Sequence, residues 1–221
     1  MAIFVKTPGH SGLKTRLAAE RGERYAVEWY RHAAAAVASV ARRAHARHGV
    51  TAYWAVAEAG ALDAWPGLPT LPQGPGGLGE RMARVHAWLV ARHGFGMLLG
   101  ADAPQLTVAL LGDAADWLSG PSPRLLLGPA SDGGFWLFGG NAAQPAEAWS
   151  AVGYSAADTA RQLLHSMRDA GDWRTLATLT DADHASDLAG VWRALEALPD
   201  PTPEQRELAR WMREQETAPS P

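Results

Sequence analysis

Lys14, Thr15 and Arg16 close a glycine-punctuated loop, Thr7-Pro8-Gly9-His10-Ser11-Gly12-Leu13, that follows the apolar run Ala2-Ile3-Phe4-Val5-Lys6. The pattern predicts a strand, a basic turn and then the start of a long helix. Cations at a helix start oppose the helix macrodipole, which favours negative charge there by about 0.3–1 kcal/mol. A bound phosphate would remove the conflict, because free backbone N–H groups flanked by cations suit a phosphate or pyrophosphate. A solvated loop whose Lys and Arg point into water accounts for the same residues.

Acidic residues supply the second half of a possible chemistry. In Met97-Leu98-Leu99-Gly100-Ala101-Asp102, the carboxylate follows an apolar strand directly, at the edge where open α/β sheets collect ligands. Asp102 is a candidate metal ligand; the competing account is a capping box with Gln105, with Pro104 in the first turn of a following helix. Asp181, Asp183 and Asp187 place three carboxylates within seven residues, where one or two serve a helix start. A hard cation such as Mg²⁺ or Mn²⁺ takes one or two protein carboxylates plus substrate phosphates, so Asp102 with Asp183 would suffice if the fold joined them. Asp132-Gly133-Gly134 lies between two apolar runs and reads as a hairpin turn, or as a place where glycines let a substrate approach while Asp132 does acid–base work. His10, Trp149-Ser150 and Tyr154-Ser155 are weaker candidates for an acceptor pocket.

These groups need a scaffold. Apolar β-rich runs recur at Ala2–Lys6, Val50–Val56, Phe95–Gly100, Arg124–Gly128 and Phe135–Gly139, with helical patterns between most of them, which predicts an α/β sheet. Tyr25–Arg43 is one helix, and Leu78, Met82, Val85 and Leu89 trace a second apolar stripe. Leu106, Leu110 and Leu111 mark a third, and Leu188, Val191, Leu195 and Leu198 a fourth. Pro201–Gln215 reads as a last helix, with a frayed end at Thr217–Pro221. Pro66–Gly79, with five Gly and four Pro, is expected to be a long mobile loop of the functional kind. Residues 1–200 read as one domain, followed by a C-terminal helix and tail over 201–221.

Composition removes several classes of function. A net charge of −3 offers no global basic field for nucleic acid or an anionic membrane. The basic run Arg42, Arg43, His45, Arg47 and His48 ends a helix, where the dipole favours cations without any ligand. The absence of cysteine excludes disulfides and thiolate chemistry, and no run reaches the ~20 apolar residues of a membrane span, so a cytoplasmic location is expected. Gly12-Leu13-Lys14-Thr15 lacks P-loop spacing, and no G-x-G-x-x-G follows the first strand.

The ordered blocks FVKTPGHSGLKTRLA, GGLGERM, LLGADAPQL, LGPASDGGFWLFGG, WSAVGYSAADT and LTDADHASDL resemble a bacterial family of GT-A-like, nucleotide-diphospho-sugar-transferase-like proteins. Some of its members are labelled arsenosugar-biosynthesis glycosyltransferases. The resemblance runs from Ala2 to Leu198 and implies a three-layer α/β/α sandwich with a mostly parallel central sheet. It implies that Lys6, Lys14, Thr15 and Arg16 contact nucleotide phosphates, and that Gly77, Gly79 and Arg81 lie near base or ribose. Asp102 and Asp183 would hold Mg²⁺ (or Mn²⁺), while Asp132, Gly133, Gly134, Trp149 and Ser150 would face sugar or acceptor. The implied function is a metal-assisted glycosyltransferase joining a nucleotide-diphospho-sugar to a small-molecule acceptor, with Asp102, Asp132 and Lys14 catalytic. A nucleotidyltransferase that releases pyrophosphate, or a non-catalytic nucleotide-binding domain, fits the same motifs.

Overall fold

The computed structural model describes residues 1–217; of the expected frayed end Thr217–Pro221, Thr217 closes the last helix and 218–221 lie outside the described residues. The chain runs β1 (Ala2–Val5), α1 (Thr15–Arg21), α2 (Glu23–His48), β2 (Tyr53–Val56), a 3-10 turn (Ala59–Ala64) and β3 (Thr70–Pro72). It continues through α3 (Leu78–His93), β4 (Gly96–Gly100), α4 (Val108–Leu118), β5 (Arg124–Pro129), β6 (Phe135–Gly140), α5 (Ala146–Ser150) and α6 (Thr159–Ser166). β7 (Asp172–Thr175), α7 (Ala185–Glu196) and α8 (Pro203–Thr217) complete it. No helix among the described residues is long and apolar enough to cross a membrane.

Seven strands form one sheet in the order β3-β2-β1-β4-β6-β5-β7. Four of its pairings are parallel; only those of β6, with β4 and with β5, are antiparallel. The sheet is therefore mostly parallel, with helices on both faces, as expected of a three-layer sandwich. Alternation along β1 assigns the faces: Ile3 and Val5 enter one core with α2, α4, α7 and α8, whereas Ala2 and Phe4 face the other with α3 and α5. Leu208 and Met212 of α8 are buried in the first core, and Gln205 Nε2 donates to the carbonyls of Pro104 and Leu106. The C-terminal helix is thus packed into the same body as residues 1–200.

The topology creates the crevice. From β1 the chain moves outward through β2 to β3, then returns to place β4 on the other side of β1. β1 and β4 therefore flank a switch point, and loops leaving their carboxyl ends diverge around an open groove.

Local structure departs from expectation in four places. The basic loop opens not a long helix but the seven-residue α1, which ends at Gly22 (φ 89°) before α2 begins. Pro66–Gly79 is not a free loop: Thr70–Pro72 pairs with β2, and Arg84 Nη1 donates to the carbonyls of Gln73 and Pro75. β7 went unrecognised because Asp172-Trp173-Arg174-Thr175 is a polar edge strand without an apolar run. Asp102 and Gln105 do not cap a helix, since α4 starts six residues after Asp102 with Thr107 Oγ1 accepting the Leu110 N–H. The basic end of α2 pairs as a structural element would: Arg42 with Glu204, and Arg43 and Arg47 with Asp200.

His86 on α3 is fully buried, with Nε2 3.2 Å from the Gly140 carbonyl and its ring edge-on to Phe138. Burial pulls its pKa down to about 4. Below the ordinary value near 6.5 the unfolded chain takes up a proton that folded His86 refuses, so stability falls as pH drops from about 6.5 towards 4. Between pH 8 and pH 5 this group alone removes about 2 kcal/mol. Urea titrations should show that loss in the native protein and a flatter profile in His86→Gln.

Candidate active site

The loop after β1 is held open by β2. Glu58, just beyond β2, accepts the Thr7 N–H at 2.8 Å and the Ser11 hydroxyl. Burial raises the Glu58 pKa, but these hydrogen bonds outweigh it and keep the carboxylate below its usual range. Tyr30 OH accepts the Lys6 N–H from beneath. The loop ends at Lys14, whose φ of 45° is left-handed, one of two positive-φ residues other than glycine among those described. That turn directs the lysine away from solvent, leaving its side chain 6% exposed.

Lys14 Nζ donates to Asp102 Oδ2 at 2.8 Å and to Asp183 Oδ1 at 2.7 Å, and Arg16 Nη1 donates to Asp183 Oδ2 at 3.0 Å. Burial alone would lower the Lys14 pKa; the charges and hydrogen bonds of Asp102 and Asp183 overcome it, so the ammonium stays charged. Burial likewise opposes ionisation of Asp183, and Lys14 with Arg16 reverses that effect, holding its pKa below the usual carboxylate range. The cations that open α1 therefore find their counter-charge within the protein.

Asp102 leaves β4 at the switch point, while Asp183 arrives from beyond β7. The segment carrying it runs beside the end of β5, where Leu179 N donates to the Pro129 carbonyl and Ser131 N to the Leu179 carbonyl. Gln105 Nε2 fastens the Thr180 carbonyl at 2.6 Å. Asp187 accepts the backbone N–H groups of Asp183 and His184, so it serves the start of α7 and not the groove. Asp181 points the other way: its buried Oδ1 has no protein partner, and burial, Asp102 and Asp132 push its pKa up to about 7. Carboxylate oxygens of Asp102, Asp181 and Asp183 lie within 4.8 Å of one another. The all-oxygen donor set fits a hard divalent cation.

Around this cluster opens a groove of about 850 Å³, lined by Lys6, Lys14, Thr15, Arg16, Gly77, Arg81, Asp102, Asp132 and Asp183. It crosses the sheet from Asp102 beyond β4 over β1 to Gln73 beyond β3, three strand spacings or about 14 Å. A smaller lobe of about 290 Å³ shares Phe4, Leu78, Asp102 and Asp132 with it and adds Gly134, Trp136, Tyr154 and Asp181. The Asp132 turn does connect a β5–β6 hairpin, with Gly133 at φ 90°, and it faces the groove as well.

Four residues expected at the site lie elsewhere. Trp149 is fully buried against Phe138, and Ser150 donates to the Ala146 carbonyl at the outer end of α5. Gly79 faces the Tyr154 ring and the Trp149 carbonyl, where an added Cβ would come within 2.9 Å. Gly133 backs onto the Ala157 carbonyl, where a Cβ would overlap at 1.9 Å. Gly79 and Gly133 each sit beside a lining residue in the sequence but direct their own free space into the packing. Glu58, Gln73 and Asp181 were overlooked as site residues. Glu58 carried a signal: an acid straight after the apolar run of β2, as Asp102 is after β4.

Residues 32–156 match a family model described as an uncharacterised protein conserved in bacteria, DUF2064. The chain belongs to that family. Among solved structures, this DUF2064 member is similar to a candidate nucleotide-diphospho-sugar transferase from Desulfovibrio desulfuricans, with a TM-score of 0.80, 23% identity and 96% of each chain covered. More distant similarities are to a Mycobacterium tuberculosis protein (TM-score 0.49, 19% identity, 86% of this chain and 95% of that one). A CMP:2-keto-3-deoxy-manno-octonic acid synthetase complexed with CTP also appears (TM-score 0.48, 12% identity, 89% and 97% covered). No curated protein matches. The DUF2064 chain thus shares its fold with the Desulfovibrio protein, in agreement with the GT-A-like resemblance in its sequence.

Removing Lys14 would leave two part-buried carboxylates facing each other. Lys14→Met should destabilise the protein by about 3 kcal/mol in urea titrations. Adding Asp102→Asn and Asp183→Asn to that variant should restore at least half of the loss, because the uncompensated charges are then gone.

Proposed function

We propose that the protein is a metal-assisted transferase that takes a nucleotide-diphospho-sugar and passes the sugar to a small-molecule acceptor. One observation carries this reading: Lys14 and Arg16 meet Asp102 and Asp183, up to 169 residues away, in a groove at the carboxyl ends of β1 and β4. A groove spanning about 14 Å of sheet edge suits a nucleoside with its diphosphate, with the base towards Gln73, Gly77 and Arg81 and the phosphates beside Lys14. The Desulfovibrio protein's description names the same donor class.

Asp102 and Asp183 would hold Mg²⁺ or Mn²⁺, which when bound supplies positive charge against the diphosphate leaving group. The chain's own residues do the rest. Arg16, 56% exposed, can reach a phosphate while still touching Asp183. Lys14 Nζ spends two of its three N–H groups on Asp102 and Asp183 and has one left for a phosphate. Lys6 adds a further cation at the groove wall. Asp132 Oδ1 is fixed by the Gly134 N–H, leaving Oδ2 for a donor group of the acceptor.

Incubation with Mg²⁺ and a panel of nucleotide-diphospho-sugars and nucleoside triphosphates tests the reading. Nucleoside diphosphate release with a glycosylated product is expected; pyrophosphate release would establish nucleotidyl transfer, and binding indifferent to both Mg²⁺ and Asp102→Asn would establish a non-catalytic domain. Asp102→Asn should lower turnover about a hundredfold or more while the folded state persists. Arg16→Ala should weaken nucleotide binding about tenfold by calorimetry, and an unchanged affinity would overturn the phosphate assignment.

A further inference from the structure

The smaller lobe has an unusual hydrogen-bond inventory. Its walls are Met82, Leu98, Phe135, Trp136 and Tyr154, and the polar tips of its aromatic rings are committed elsewhere: Trp136 Nε1 to the Ala177 carbonyl at 3.1 Å, Tyr154 OH to the Trp149 carbonyl at 3.0 Å. The Thr159 hydroxyl is bound between the Gly153 and Ala156 carbonyls. Among the hydroxyl and ring N–H groups lining the lobe, only the Ser155 hydroxyl is uncommitted, and no lysine or arginine lines it. Acceptors are plentiful: the unpartnered Asp181 Oδ1 and the second oxygen of Asp132. The nearest cations, Lys14 and Arg16, belong to the larger lobe and are engaged by Asp102 and Asp183.

Such a space receives donors and repels acceptors. A phosphate or carboxylate on the second substrate would find no side-chain cation and the four carboxylates of Asp102, Asp132, Asp181 and Asp183; an ammonium on an apolar body would meet the acids of Asp132 and Asp181 and aromatic faces. We infer that the smaller lobe takes a small primary amine with an apolar or aromatic body, anchored through its ammonium by Asp132 and Asp181. This rests on the transferase reading only in calling that amine the acceptor. Asp132 then serves as an anchoring group.

Three molecules that differ in charge alone test it: phenethylamine, 2-phenylethanol and phenylacetate. Each is titrated into metal-free protein while the Trp136 indole N–H is followed by NMR, its resonance assigned through Trp136→Phe. Phenethylamine should bind about tenfold more tightly than phenylacetate, with 2-phenylethanol between them, and high salt should narrow the gap. Asp132→Asn combined with Asp181→Asn should abolish the preference. Equal or tighter binding of phenylacetate, no response to any of the three, or a preference that survives both substitutions would overturn the inference; should the double variant misfold, the salt series on the native protein decides. Nucleotide titration of the same samples after addition of Mg²⁺ separates the two readings. Nucleotide binding without an amine preference sinks this inference alone, whereas an amine preference without nucleotide binding sinks the transferase reading alone.

Discussion

One ammonium group holds the functional edge together. Lys14 Nζ bridges Asp102, which ends a central strand, and Asp183, which arrives from beyond the far edge of the sheet. Bringing a lysine to 6% exposure removes most of its hydration, and such a charge persists only with well-placed partners. The loop after β1, the end of β4 and the lead into α7 are therefore fixed by mutual dependence: none can shift without leaving a charge uncompensated. Glu20 adds a second tie between the same segments, accepting the Ala185 N–H and pairing with His184.

The sheet order is what allows such a bridge. In a strictly sequential sheet the loops after β1 and β4 would lie several strands apart. Here the reversal after β3 makes β1 and β4 neighbours, so two loops separated by 88 residues in Lys14 and Asp102 emerge about one strand spacing, roughly 5 Å, apart. The antiparallel insertion of β6 between β4 and β5 then sets the Asp132 turn on the same edge, opposite the lysine loop. Function follows from the path of the chain as much as from the residues on it.

Much of this was legible in the sequence, for identifiable reasons. The helices α2, α3, α4, α7 and α8 announce themselves through apolar stripes, because each buries one face in a core against the sheet or against other helices. β3 and β7 do not, since a strand of three residues containing Pro72 and a polar edge strand lack an apolar signature. At the site, Lys14, Asp102, Asp132 and Asp183 were readable as acids and bases beside strand ends. Asp181 was visible within the acidic cluster, yet spacing cannot tell which of two carboxylates two residues apart turns towards Lys14 and which towards the smaller lobe. Gly79 shows the converse. Its neighbour Leu78 lines the groove, but side-chain direction in a helix changes by about 100° per residue, so adjacency implies little about who faces a ligand.

Strain points to the same place by an independent route. Lys14 at φ 45° and Ser155 at φ 63° are the only described non-glycine residues in the left-handed region, and both line the groove. Such conformations cost of order 1 kcal/mol or more, and survive where surroundings over-determine them. For Lys14 the restraint is its pair of carboxylates. For Ser155 it is the framework on either side, where Gly153 N–H donates to Gln162 and Ala156 N–H to the Thr159 hydroxyl. Both line the larger lobe, where Lys14 presents a cation, and Ser155 lines the smaller lobe as well. A fold that only needed to close these turns could have used glycine, as it does at Gly9, Gly22 and Gly133. Placing a charged and a hydroxyl side chain at strained positions instead is what a groove requires if its walls are set before any ligand arrives.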